Sequence, residues 1–315
     1  MTDLASAALT LWGMQGAPCS FVAGRENRVY RVQSDRGDFA LRLRRPGLRS
    51  AAELRSELDW MAAMGAAGLS VPRPEPSRSG QLLEEVDGHR VDMVSWLDGT
   101  PLGKSREALT LPDPEGAYLR LGQEMARLHD ACDSFTPPQG FHRIAWDREG
   151  LLGEAPLWGR FWENPTLDAE TRALLEAFRA RAARDLEALQ DSLDYGLIHA
   201  DLVRENVLLD GGTLSLIDFD DGGYGFRLFD VATALLKNRN EPLYEPLTAA
   251  LLAGYRSQRP LESAQLGLFM ALRAATYVGW IVPRMGEDGA AARNARFTED
   301  ARALCADYLR HPALS

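Results

Sequence analysis

The sequence predicts a two-lobed α+β fold, with a small antiparallel sheet and one main helix over residues 1–97 and a larger, mostly helical lobe over 98–315. Three observations predict it. A chain of 315 residues, 45% hydrophobic and 25% charged, suits one large bilobal protein or two domains at about 150 residues each. The first hundred residues are rich in short strand-like runs, among which Phe39-Ala-Leu-Arg-Leu-Arg-Arg alternates apolar and polar with period two, the signature of a half-buried strand. From Pro114 onward apolar residues recur at spacings of three and four, as on one face of a helix.

In chain order, the apolar N-terminal run reads as a short amphipathic helix. Ser20 to Leu43 follows as a strand meander, with Val29 to Val32 and Phe39-Ala-Leu-Arg-Leu-Arg-Arg as strands about a turn at Ser34-Asp-Arg-Gly-Asp. Ser50-Ala-Ala-Glu53 has capping-box spacing and opens a helix through Leu54, Leu58, Met61 and Met64. Pro72, Pro74 and Pro76 then forbid helix. Gln81 to Glu85 and Arg90 to Leu97 read as two more strands, closed by Asp98-Gly99. In the second region Tyr118, Leu121, Met125 and Leu128 mark a helix, Thr136 to Pro165 reads as irregular, and Leu167 to Leu189 returns to helix. Residues 136–189 lie ahead of the most polar segment.

Charge and cysteine usage exclude several classes. A net charge of -10 argues against a surface built to grip nucleic-acid phosphates and fits a protein that handles small molecules. Cys19, Cys132 and Cys305 are odd in number and widely spaced, which gives no zinc motif and no full disulfide pairing, so a reducing cytoplasm is expected. The N-terminal run lacks a basic flank and carries Asp3, unlike a signal peptide. In Ala264 to Pro283 Arg273 is the only charge, but Gln265, Thr276 and several small residues dilute the apolarity, and the segment reads as a buried helix in preference to a membrane span, because no second span exists to shelter the arginine.

The chemistry lies in Leu197-Ile-His199-Ala-Asp201-Leu-Val-Arg-Glu-Asn206, followed by the turn Asp210-Gly-Gly and the run Leu214-Ser-Leu-Ile-Asp218. Four residues separate Asp201 from Asn206, and a hairpin returns Asp218 toward them, which offers three oxygen ligands or acceptors. Mg2+ takes hard oxygen ligands and shares them with phosphates, and a reacting hydroxyl needs a carboxylate near its proton.

His199-Ala-Asp201-Leu-Val-Arg-Glu-Asn206, Leu216-Ile-Asp218-Phe-Asp-Asp and Phe229-Asp230-Val-Ala together resemble the aminoglycoside phosphotransferase and choline kinase family, within the protein-kinase-like fold. The resemblance covers nearly the whole chain. It implies an ATP-dependent kinase, with Asp201 accepting or orienting the proton of the acceptor hydroxyl, Asn206 and Asp218 holding Mg2+ against the ATP phosphates, and His199 and Asp230 bracing the loop. Gly24-Arg-Glu-Asn27 resembles the nucleotide loop, Arg42 stands where the wider fold places a phosphate-binding lysine, and Glu57 resembles the helix carboxylate that orients that cation. Val94-Ser95-Trp96-Leu97-Asp98-Gly99 resembles the adenine-reading hinge, which brings in Ser95 and Leu97.

The residues themselves leave alternatives open. Arg42 also fits an outward strand position beside Arg44, Glu53 competes with Glu57, and Gly24 fits a plain turn. Asp220 and Asp221 are candidates to face a cationic substrate or simply to form a loop. Trp146, Trp158 and Trp162 fit either a substrate pocket or local packing. Only eleven residues separate Asp218 from Asp230, too few for a long regulatory activation segment, which favours a constitutively assembled small-molecule kinase. The resemblance is closest in character to homoserine-kinase-like members, with homoserine or an amino alcohol as acceptor. Aminoglycosides, a protein serine/threonine substrate, or nucleotide binding without turnover are the alternatives.

Overall fold

A computed structural model describes residues 3–24, 27–105, 107–189 and 191–311. Its elements, in chain order, are α1 (Asp3–Leu11), β1 (Cys19–Gly24), β2 (Arg28–Ser34), β3 (Gly37–Leu43), α2 (Ala51–Ala66), β4 (Leu83–Val86), β5 (His89–Ser95), β6 (Thr100–Pro101), α3 (Pro114–Ser134), β7 (Ala145–Trp146), α4 (Arg148–Leu152) and α5 (Ala169–Leu189). They continue with β8 (Tyr195–Ile198), β9 (Val207–Asp210), β10 (Thr213–Leu216), β11 (Gly223–Phe226), α6 (Arg227–Leu236), α7 (Tyr244–Arg256), α8 (Leu266–Trp280) and α9 (Ala290–Arg310). The chain divides into two compact units. The first comprises Met1–Gly103, Asp130–Arg143 and Glu205–Asp220; the second comprises Lys104–His129, Ile144–Arg204 and Asp221–Ser315.

The first unit is built on a five-stranded antiparallel sheet in the order β1-β2-β3-β5-β4. Its period-two pattern is realised on β3: Phe39, Leu41 and Leu43 face a core formed with Leu9 and Trp12, Tyr30 and Val32, and Val91 and Met93. Ala40 and Arg42 take the opposite face, which is also covered, so that Arg42 is only 8% exposed. The outward strand position open to Arg42 in the sequence is therefore closed. Asp87 and Gly88 join β4 to β5 with φ of 49° and 74°, the doubly positive backbone that lets a two-residue turn follow the strand twist. Gly211 and Gly212 do the same between β9 and β10.

Helix α2 begins with the expected capping box: Ser50 accepts from the Glu53 amide and Glu53 accepts from the Ser50 amide. It buries Leu54, Leu58, Trp60, Met61 and Met64. A second small sheet, β10-β9-β6, completes this unit from two distant stretches of sequence.

The second unit is mainly helical, around a three-stranded sheet in the order β7-β11-β8. The segment expected to be irregular from Thr136 to Pro165 contains β7 and α4, because Asp147 caps α4 through the Gly150 amide and the Trp146 side chain is fully buried. Helix α8 buries every residue from Leu268 to Gly279, Arg273 included. Among the described residues no helix is long and apolar enough to cross a membrane.

Candidate active site

In the second unit, β8 ends at Ile198 and the chain turns through His199, Ala200 and Asp201. Ala200 has φ of 63°, a left-handed conformation that costs a non-glycine residue about 1 kcal/mol or more. Asp230, the fourth residue of α6 and fully buried, supplies the restraint: Oδ1 accepts from the Ala200 amide at 2.6 Å and Oδ2 from the His199 amide at 2.8 Å. His129 Nε2 lies 3.1 Å from Oδ2. Burial would raise the Asp230 pKa, but these hydrogen bonds and the neighbouring imidazoles hold it below the usual carboxylate value. The structure thus brings His199 and Asp230 together at the loop.

Arg273 of α8 donates from Nη2 to Asp201 Oδ1 at 2.9 Å and to the Tyr277 hydroxyl at 3.0 Å. Its guanidinium carbon lies 4.4 Å from the Trp158 ring centroid, 4.6 Å from that of Tyr277 and 5.3 Å from that of Phe229. Burial pushes the Tyr277 hydroxyl pKa up, so it stays protonated beside the carboxylate.

In the first unit, the segment Glu205–Asp220 folds back on itself, and Ile217 donates its amide to the Asn206 carbonyl at 3.0 Å. That bond joins the Asn206 backbone to the residue before Asp218. Asp218 is exposed and has φ of 68°, a second strained non-glycine residue. An amide oxygen and a carboxylate are a hard donor set that suits Mg2+, with its remaining ligands drawn from phosphate and water.

The same unit contains a buried charge cluster. Arg42 lies opposite Asp92 in the β3–β5 register and donates to it from Nε at 2.6 Å, while its Nη1 meets Glu57 of α2 at 3.0 Å. Arg44, on the same face, meets Glu57 at 2.8 Å, Asp92 at 2.5 Å and Asp220 at 2.5 Å. Arg143 lies 3.7 Å from Glu57. Burial alone would raise the Glu57 pKa, but Arg44, Arg42 and Arg143 outweigh it and hold the carboxyl well below the usual range. Arg42 Nη2 is buried without a hydrogen-bond partner among the described residues.

The remaining sequence candidates are placed as follows. Glu53 is the capping residue and Glu57 the partner of Arg42. An added Cβ at Gly24 would lie 2.9 Å from the Phe21 ring, a local reason for glycine there; Arg25 and Glu26 of the same motif lie outside the described residues. Asn27 donates its side-chain amide to Asp220. The Asp220 carboxylate therefore meets Arg44 and Asn27, in place of the cationic substrate offered to it by the sequence. Burial and the nearby Glu57 charge raise its pKa. Asp221 accepts at its carbonyl from Trp146 Nε1 at 2.8 Å. Ser95 donates its amide to Arg73 at 2.8 Å, so any reading of a base by Ser95 falls to its carbonyl; Leu97 follows two residues on, partly buried. Trp146 stacks on Phe229 with centroids 5.2 Å apart, and Arg179 sits 3.9 Å over Trp162, both packing roles, whereas half-buried Trp158 walls Arg273.

Sequence reasoning missed Arg44, Asp92, Arg143 and the pairing of Arg273 with Asp201. The available signal was charge inside apolar runs, as in Val91-Asp92-Met93.

The chain is similar to several known kinases. A homoserine kinase of Methylobacterium radiotolerans is 29% identical over 269 residues, covering 83% of this chain and 78% of that protein. An amicoumacin kinase of Bacillus subtilis is 26% identical over 289 residues, covering 84% of this chain and 80% of that one. The solved structure of a microcompartment-associated aminopropanol kinase superposes with a TM-score of 0.84 at 31% identity, covering 97% of each chain. Residues 19–261 match the phosphotransferase enzyme family and span the sheet of the first unit, Asp201, Asn206, Asp218 and the Asp230 brace; the chain belongs to that family.

Proposed function

We propose that this protein is a cytoplasmic kinase that moves the γ-phosphoryl group of ATP, with Mg2+, to a hydroxyl of a small metabolite of homoserine or amino-alcohol type. The observation that carries the reading is the backbone strain at Ala200 and Asp218, each with a positive φ and each beside or within the polar motif. Strain of this kind persists only where surrounding bonds impose it, and it clusters at functional sites. The named activities of the relatives support a small hydroxyl-bearing acceptor, and the three free cysteines fit a reducing compartment.

Asp201 accepts the acceptor hydroxyl proton at a carboxylate oxygen as the new P–O bond forms and the bond from the γ-phosphorus to the β–γ bridging oxygen breaks, with ADP as the leaving group. Asn206 and Asp218 would hold Mg2+, which neutralises charge on the phosphates when bound. Arg42, kept in place by Glu57 and Asp92, would supply positive charge near the phosphates, with Gly24 and Asn27 in the nucleotide loop. Ser95 and Leu97 supply backbone groups for adenine. Asp221 is the remaining candidate for contact with the acceptor. Positioning and charge neutralisation carry most of the rate enhancement.

The test is ADP release from Mg·ATP against homoserine, aminopropanol, ethanolamine, choline and several aminoglycosides. Stimulation by homoserine or an amino alcohol is expected. Asp201→Asn should lower turnover by about 100-fold or more with ATP binding kept, whereas Asp218→Asn should weaken Mg·ATP binding as well. Stimulation by none of these acceptors, or by aminoglycosides alone, would refute the proposal.

A further inference from the structure

Arg273 is fully buried, yet Nε and Nη1 have no hydrogen-bond partner among the described residues. A buried guanidinium with two unmatched donors is costly, and an arginine kept only for packing would be replaced at lower cost by an apolar side chain of similar volume. The rings of Trp158, Tyr277 and Phe229 surround it and offset part of that cost through their electron-rich faces. Among the described residues only Nη2 makes hydrogen bonds, and it joins the Tyr277 hydroxyl to Asp201 Oδ1. The two contacts are 2.9 Å and 3.0 Å long, and Tyr277 lies one helical turn beyond Arg273, so one rigid helix fixes both.

We propose that Arg273 is a positioning residue for phosphoryl transfer: clamped by three aromatic rings, it holds one oxygen of the Asp201 carboxylate and so fixes the direction in which the acceptor hydroxyl is met. The inference rests on Asp201 being the proton acceptor, as proposed above. A carboxylate side chain left to rotate about χ1 and χ2 would lose the aligned geometry, and displacement of about 1 Å at a reacting group costs roughly 100-fold in rate. Tyr277 steadies the guanidinium from its other contact.

The experiment compares Arg273→Gln, Arg273→Lys, Asp201→Asn and the double variant Asp201→Asn/Arg273→Gln in steady-state ADP release with the best acceptor of the wild-type protein, alongside Kd for Mg·ATP. Arg273→Gln is expected to lower kcat by about 100-fold, with Kd for Mg·ATP within about twofold of wild type. Arg273→Lys, which retains charge without the planar fork, should recover part of that loss. The double variant should be no slower than Asp201→Asn alone, because a residue acting through Asp201 has nothing left to position. Wild-type kcat in Arg273→Gln, a parallel loss of Mg·ATP binding, or a loss that multiplies in full with Asp201→Asn would each overturn the proposal. Should Arg273→Gln fail to fold, Arg273→Lys is judged by the same two criteria in its own double variant. Failure of wild-type protein to phosphorylate any acceptor would refute the kinase reading, whereas wild-type turnover indifferent to Arg273 would refute this inference alone.

Discussion

Replacing Glu57 with glutamine tests the buried charge cluster of the first unit. Glu57 is wholly buried and its two oxygens meet Arg44 at 2.8 Å, Arg42 at 3.0 Å and Arg143 at 3.7 Å. Glutamine keeps the volume and one acceptor but leaves three guanidinium groups to Asp92 and Asp220. Removing one partner from a buried ion pair costs about 3–5 kcal/mol, and the retained acceptor together with relief of the repulsion on Asp220 places the expected loss near the lower end. The pH dependence carries the stricter test. Glu57 has a depressed pKa when folded, so its stabilisation is complete above its unfolded value of about 4.3 and is lost as pH falls toward the folded one. Below about pH 4.3 the wild-type protein should lose about 1.4 kcal/mol per pH unit through this group, a loss Glu57→Gln cannot share. A gap of about 3 kcal/mol at pH 7 should therefore shrink by nearly half at about pH 3.3. Urea unfolding followed by far-ultraviolet circular dichroism at pH 7, 5, 4 and 3.3 measures it. A gap that stays constant across this range, or one below about 1 kcal/mol at pH 7, would refute the argument that charge at Glu57 holds the cluster together.

Asp230→Asn should destabilise the second unit by about 2–3 kcal/mol, since a neutral amide replaces a carboxylate that accepts two backbone amides, and kcat should fall with it; thermal unfolding and the ADP assay measure both. Ser50→Ala removes half of the α2 capping box and should cost about 1 kcal/mol in urea unfolding, with kcat unchanged within twofold.

Much of this was legible in the sequence wherever the signal is local. The capping box at Ser50, the period-two run of β3 and the glycine turn after Asp210 each depend on residues close together in the chain. The motif from His199 to Asp218 is likewise short. Arg44 and Asp92 were not legible, because their meaning depends on which strand lies beside which: Asp92 acquires a partner only through the β3–β5 register. Arg273 was visible only as a lone charge in an apolar helix. Tyr277 is one turn along the same helix, but the rings of Trp158 and Phe229 are brought to Arg273 by tertiary packing alone. The division into units was equally hidden, since β6, a strand of two residues, ties Thr100 to Leu209.

That last pairing bears on how the protein is made. The first unit lacks its β9–β10 hairpin until residue 220 has been synthesised, although most of its sheet is complete by residue 103. At about 5–20 residues per second the nascent chain must hold this unfinished unit for roughly 5–20 s while the intervening segment emerges. During that interval the β6 edge has no partner, and the buried arginines await Asp220. The N-terminal unit is thus tied to the translation of its successor, and a chain released before residue 220 would be left with an open edge and an unmatched cation.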